Sequence, residues 1–128
     1  MTQGAIAASG EHVRLDDLFA AIDAMDAERF AAFLTDDARF RFGSAPVVEG
    51  RDAIRAAVEQ FFASIQGLRH HVSKVVESGN TLVCEGEVTY TRHDGTTIDL
   101  PFADVFETHA DRIADYRIYM DINPLYAS

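Results

Sequence analysis

Apolar residues set two different periods along this chain, and the change between them divides it. Near the start, Leu15, Leu18, Phe19 and Ile22 follow the i, i+3, i+4, i+7 rule of an amphipathic helix. Asp26 then stands where it can cap a short second helix whose apolar residues are Phe30, Phe33 and Leu34. The stretch TDDARFRFG alternates, with Ala38, Phe40 and Phe42 on one face and Arg39 and Arg41 on the other, and predicts a strand. GSAPVVEG reads as a loop, with room for a short strand. A third helix follows near Asp52, with Ile54, Val58, Phe61, Phe62 and Ile65 at helical spacing.

From Leu68 onward the period becomes two. Strands are predicted over 69–77, 81–92, 96–108 and 112–122, separated by the turn signals Ser78-Gly79-Asn80, His93-Asp94-Gly95 and His109-Ala110-Asp111. Helices first and a meander of long strands afterwards predict an α+β fold. Three helices laid on one face of a curved, mostly antiparallel sheet would enclose a cone-shaped core. A loose tail is expected over 1–13 and a single domain over 14–128.

Strand phase predicts which side chains face that core. Leu82, Cys84, Val88 and Tyr90 form one apolar phase, and Tyr116, Ile118 and Met120 with Ala114 form another. In 96–108 the inward phase is Ile98, Leu100, Phe102 and Phe106, and Asp104 shares it. Over 69–77, His71, Ser73 and Val75 share one phase and Val72, Lys74 and Val76 the other. His71 is taken here as inward-facing.

Asp104 is the chemical anomaly. A carboxyl among apolar side chains is costly when ionised, so its pKa should rise or it must find a partner. Kept protonated, it can donate a hydrogen bond to a substrate oxygen. Turned outward by a bulge, it would be structural. His70-His71 is not read as a metal pair, because adjacent strand residues point to opposite faces. Cys84, the only cysteine, lies in an apolar phase without a basic neighbour and reads as core. No metal and no cofactor are expected. Motifs for a serine hydrolase, a P-loop or a dinucleotide fold are missing from the sequence.

Charge and composition narrow the partners. The chain of 128 residues carries 11 Lys+Arg against 21 Asp+Glu, a net −10 without a basic stripe, which argues against nucleic-acid binding. One cysteine excludes an internal disulfide framework. Apolar runs are too short to span a membrane. The start, MTQGAIAASGEH, has neither a cationic segment nor a long apolar one, so no signal peptide is read and a cytoplasmic protein is expected.

Over about residues 14–126 the chain resembles the nuclear transport factor 2-like superfamily, and within it the SnoaL-like branch. The resemblance is carried by LDDLFAAIDAMDAERFAAFLTDDARF, EGRDAIRAAVEQFF, RHHVSKVVESGNTLVCEGEVTY and FADVFETHADRIADYRIYMD, in that order. That superfamily includes ketosteroid isomerases, limonene-epoxide hydrolases, scytalone dehydratase, bile-acid dehydratases, polyketide cyclases and domains without catalysis, so fold settles little about function. By this resemblance the isomerases' general base falls at Phe42, their helix-one tyrosine near Leu18 and their oxyanion-hole aspartate at Asp104. The last-strand acid of the cyclases and epoxide hydrolases falls at Ile118. The aspartate and histidine of the dehydratases fall at Asp23 and His71, with Ile22 where those enzymes have a tyrosine.

The surviving set is Asp23, His71 and Asp104. It implies a cofactor-independent dehydratase or isomerase, with His71 as base, Asp23 as its orienter and Asp104 as acid or oxyanion donor. The substrate would be an apolar oxygenated small molecule, cyclic, polyketide-like or steroid-like, bound against Phe40, Phe42, Tyr90, Phe102, Tyr116 and Ile118. The alternative is a ligand-binding or structural member of the fold; a cavity joining His71 to Asp104 would favour catalysis, and one filled by Phe42 and its neighbours would favour binding or scaffold. A homodimer is expected through the outer sheet face, where Ala103, Val105 and Tyr119 lie among charges such as Glu87 and Arg117.

Overall fold

The computed structural model describes residues 13–127. Residues 1–12 of the expected tail lie outside the described residues, whereas Val13 is buried in the core. The helices are α1 (Leu15–Asp23), α2 (Ala27–Ala31), α3 (Arg51–Ala63) and the one-turn α4 (Asn123–Tyr126). The strands are β1 (Leu34–Phe42), β2 (Val48–Glu49), β3 (Gly67–Ser78), β4 (Thr81–Thr91), β5 (Thr97–His109) and β6 (Arg112–Tyr119). They form one six-stranded sheet in the order β2-β1-β6-β5-β4-β3. Every pairing is antiparallel except β1 with β6, which is parallel. The fold is the α+β cone, with α1, α2 and α3 closing one face of a curved sheet.

Local chemistry explains the helix starts. Asp26 caps α2 by accepting from the Arg29 amide at 3.0 Å. On α1, Leu18, Phe19, Ala21 and Ile22 are buried, and on α3 Ile54, Val58 and Phe62 are. These stripes meet the inner face of β4 and β5, where Leu82, Cys84, Val88, Tyr90, Leu100, Phe102 and Phe106 form the other half of the core. α4 stands where the sequence pattern only ended a strand. Arg92 holds it, donating to the Leu125 carbonyl at 2.8 Å and the Pro124 carbonyl at 3.0 Å, and Leu125 is buried beneath.

Two bulges alter the expected strand phases. In β3, Val72 pairs with Gly86 but Lys74 already pairs with Glu85, so Ser73 is an extra residue. Before it, Leu68, His70 and Val72 share a face with Tyr90, Val88 and Gly86; after it, Val75 joins that face opposite Cys84. The expected inward set of His71, Ser73 and Val75 therefore does not exist as a face. His71 points outward, opposite Glu87, and is exposed. In β6 a register shift beside Glu107 and Thr108 buries Ile113 rather than Ala114. Gly86 permits the close approach of β3 to β4 beside the bulge. A Cβ there would sit 2.0 Å from the His71 carbonyl oxygen, a backbone atom that cannot swing aside.

Candidate active site

The cone encloses a cavity of about 210 Å³. Its floor is built from buried residues of the sheet and α2, among them Phe30, Phe40, Tyr90, Phe102 and Tyr116. Its mouth is formed by half-buried and exposed residues, including Phe42, Pro46, Phe61, Ile118 and Met120. The six residues expected to bind substrate (Phe40, Phe42, Tyr90, Phe102, Tyr116 and Ile118) all line this space. The parallel pairing of β1 with β6 sets Phe40 beside Tyr116 and Phe42 beside Ile118, so four of the six arrive through one register. Phe42 packs on Phe61 with ring centroids 5.1 Å apart and leaves the cavity open.

Two acidic centres meet this apolar lining. The first is a dyad between Asp23, the last residue of α1, and His70 on β3. Asp23 Oδ1 lies 2.6 Å from His70 Nδ1, and Asp23 Oδ2 accepts the His70 backbone N–H at 3.0 Å. One carboxylate thus grips both the ring and the main chain of the same residue. A carboxylate can only accept, so Nδ1 carries the proton and Nε2 is the nitrogen left for the cavity. Phe19 lies over the imidazole, with centroids 4.6 Å apart, and Phe102 meets it edge-on at 5.2 Å. The His70 side chain is only 10% exposed.

The second centre is Asp104, 1% exposed and the only buried charged or polar residue among those described. Its Oδ2 accepts from the Tyr116 hydroxyl at 3.1 Å, while its Oδ1 is buried without a hydrogen-bond partner. Burial pushes its pKa up from 3.8 to about 7, against the opposing pull of the Tyr116 hydrogen bond. Burial, reinforced by the neighbouring Asp104, raises the Cys84 thiol and the Tyr90 and Tyr116 hydroxyls as well. Cys84 opposes Asp104 across the β4–β5 ladder and packs in the core.

His70, Asp104 and, behind His70, Asp23 therefore meet at one cavity, and His71 does not reach it. His71 lies on the outer sheet face, in a shallow depression with Ser73, Glu85, Glu87 and Pro101. The inward placement expected for His71 is therefore corrected: the inward-facing histidine of β3 is its neighbour His70. Among the described residues, no group of three or more His, Cys, Asp or Glu is placed to hold a metal ion. No helix among them is long and apolar enough to cross a membrane.

A six-stranded cone closed by helices over an apolar pocket is the fold of the nuclear transport factor 2-like class. Within it, the family model for the SnoaL-like domain matches residues 15–116, and the chain belongs to that family. Solved structures agree on the fold. A nuclear transport factor 2-like protein of unknown function from Burkholderia pseudomallei superposes with a TM-score of 0.78 at 19% identity, covering 87% of this chain and 90% of that one. A protein assigned as a SnoaL-like polyketide cyclase from Jannaschia sp. CCS1 gives 0.74 at 17% identity, covering 88% of each chain. An epoxide hydrolase of the LEH-like type from M. tuberculosis gives 0.74 at 16% identity, covering 88% of this chain and 83% of that one. No curated protein matches the chain significantly.

Proposed function

We propose that this protein is a cytoplasmic, cofactor-independent enzyme of the dehydratase or isomerase type, acting by proton transfer on an apolar oxygenated small molecule. The observation that carries this reading is the meeting of two complementary groups at one apolar cavity: a histidine oriented by a carboxylate, and a buried carboxyl with a free oxygen. His70 is the base, Asp23 its orienter, and Asp104 the hydrogen-bond donor to the substrate carbonyl.

For a β-hydroxyketone the steps balance without a further reagent. His70 Nε2 takes the proton from the carbon between carbonyl and carbinol, and Asp23 stabilises the imidazolium. The electron pair moves onto the carbonyl oxygen, where the Asp104 O–H stabilises the enolate. The enolate then collapses to the enone, and the departing hydroxyl takes the imidazolium proton and leaves as water. From a β,γ-unsaturated ketone the same abstraction gives a dienolate, and returning the proton to its γ-carbon would be isomerisation. The test is β-hydroxycyclohexanone as probe, followed by the ultraviolet absorbance of cyclohexenone. Elimination above the buffer rate that disappears with His70 supports the reading. If wild type and buffer run at one rate across a panel of cyclic β-hydroxyketones, and no deuterium enters their α-carbons in heavy water, the reading falls.

The same proposal includes a homodimer through the outer sheet face. Ala103, Val105 and Tyr119 stand there, Tyr119 is 57% exposed, and Val83 and Val76 extend the row across the ladder pairs Val105–Val83 and Val83–Val76. Glu87 and Arg117 supply a polar rim. Light scattering at micromolar concentration should give twice the chain mass; a value near 14.1 kDa would count against the dimer.

A further inference from the structure

We infer that the cavity selects an uncharged ligand of one or two rings, presenting a hydrogen-bond acceptor to Asp104 Oδ1 and a donor to His70 Nε2, and that it rejects carboxylates and phosphates. This rests on the proposed function only in taking the same cavity as the ligand site.

The polarity of the two centres dictates the pattern. Tyr116 donates to Asp104 Oδ2, so the proton of the neutral acid belongs on Oδ1, the oxygen without a partner. A buried donor without an acceptor is costly, and a ligand oxygen is the missing acceptor. The raised pKa of Asp104 agrees with a carboxyl that holds its proton near neutrality. At the other centre the carboxylate of Asp23 fixes the hydrogen on Nδ1, so Nε2 presents a lone pair. It calls for a ligand hydroxyl or an acidic C–H. The two centres ask for opposite things, which gives the ligand an orientation.

Charge and size complete the selection. None of the residues around the cavity is Lys or Arg, and the undescribed residues 1–12 contain neither. Asp104 is the acidic residue of that lining, and the Asp23 carboxylate stands behind His70. An anion entering would lose its hydration, meet no permanent cation and face the Asp104 carboxyl, whereas a neutral isostere loses far less. An engineered apolar cavity of roughly 150 Å³ admits benzene. A space of about 210 Å³ therefore takes a substituted ring or a compact bicycle, and a four-ring ligand would leave most of its surface outside.

The test is isothermal titration of the full-length protein with three probes: para-hydroxybenzamide, its anionic isostere para-hydroxybenzoate, and the four-ring hydroxyketone testosterone. The amide should bind, and the benzoate should bind at least roughly tenfold more weakly at neutral pH, a gap of about 1.4 kcal/mol. That gap should close as pH falls through the carboxyl range of the benzoate itself. Testosterone should bind more weakly than the amide. Asp104→Asn, which keeps a donor, should retain the amide within a few-fold, and Asp104→Leu should lose it. Benzoate binding as tightly as the amide, testosterone binding more tightly than either, or none of the three binding would each overturn the inference. None of the probes carries a β-hydroxyl that could leave. Intact selectivity without elimination of water would thus sink the catalytic reading alone, and elimination without selectivity would sink this one.

Discussion

His70→Ala is expected to slow elimination of water from β-hydroxycyclohexanone by roughly 10²–10⁴-fold, the usual cost of removing a positioned general base. His71→Ala, one residue away, should run at the wild-type rate. The contrast follows from the pleat. His70 is held by Asp23, lies between Phe19 and Phe102, and borders the cavity, whereas His71 meets solvent on the outer face. Asp23→Asn should fall between the two, because a neutral amide still accepts from Nδ1 but stabilises the imidazolium less. Thermal melts separate chemistry from folding. His70→Ala leaves the His70 backbone N–H on Asp23 Oδ2 and should keep a cooperative transition. A dead His71 variant beside an active His70 variant would remove the dyad from the mechanism, and two active variants would point to a binding protein.

The sequence revealed the architecture more fully than the site, and the reason is local regularity. β4 and β5 pair without a slip from Thr81–Glu107 to Thr91–Thr97, so simple alternation reads their inner faces correctly and finds Asp104 among Leu100, Phe102 and Phe106. β3 holds an extra residue at Ser73, and its exposed residues from His71 to Val76 add no apolar rhythm to betray the slip. A two-residue period read across a bulge must assign one half of the strand to the wrong face. One signal was present. Gly86 in the partner strand marks the place where the β3 backbone approaches closely, and a glycine inside a strand often accompanies a bulge. The grip of Asp23 on His70 spans 47 positions and leaves no periodic trace. Only the resemblance drew attention to Asp23. The unpartnered Oδ1 of Asp104 is likewise a property of packing that pattern alone cannot express.

Asp104→Asn should make the protein more stable in alkaline solution while giving no such gain in acid. In the native protein Asp104 loses its proton near pH 7, against an ordinary value of 3.8. Below about pH 4 both the native and the unfolded chain hold that proton, and the residue costs nothing extra. Between 3.8 and about 7 the native state keeps the proton while the unfolded chain releases it, so stability falls as pH rises. Above pH 7 the native state carries a buried charge with only the Tyr116 hydroxyl to offset it, and the loss is complete. A shift of this size corresponds to a few kcal/mol, on the order of 1.4 kcal/mol for each pH unit of the window. Asparagine has no proton to lose, can still accept from Tyr116, and escapes that loss. Its melting temperature should exceed that of the wild type by roughly 10 °C at alkaline pH. The gap should shrink to zero or reverse near pH 4, where the protonated carboxyl has one fewer donor to satisfy than the amide. Calorimetric melts across that range decide the matter. Parallel profiles for the two proteins would mean that Asp104 ionises normally, and it would then be unable to act as a proton-holding donor at neutral pH.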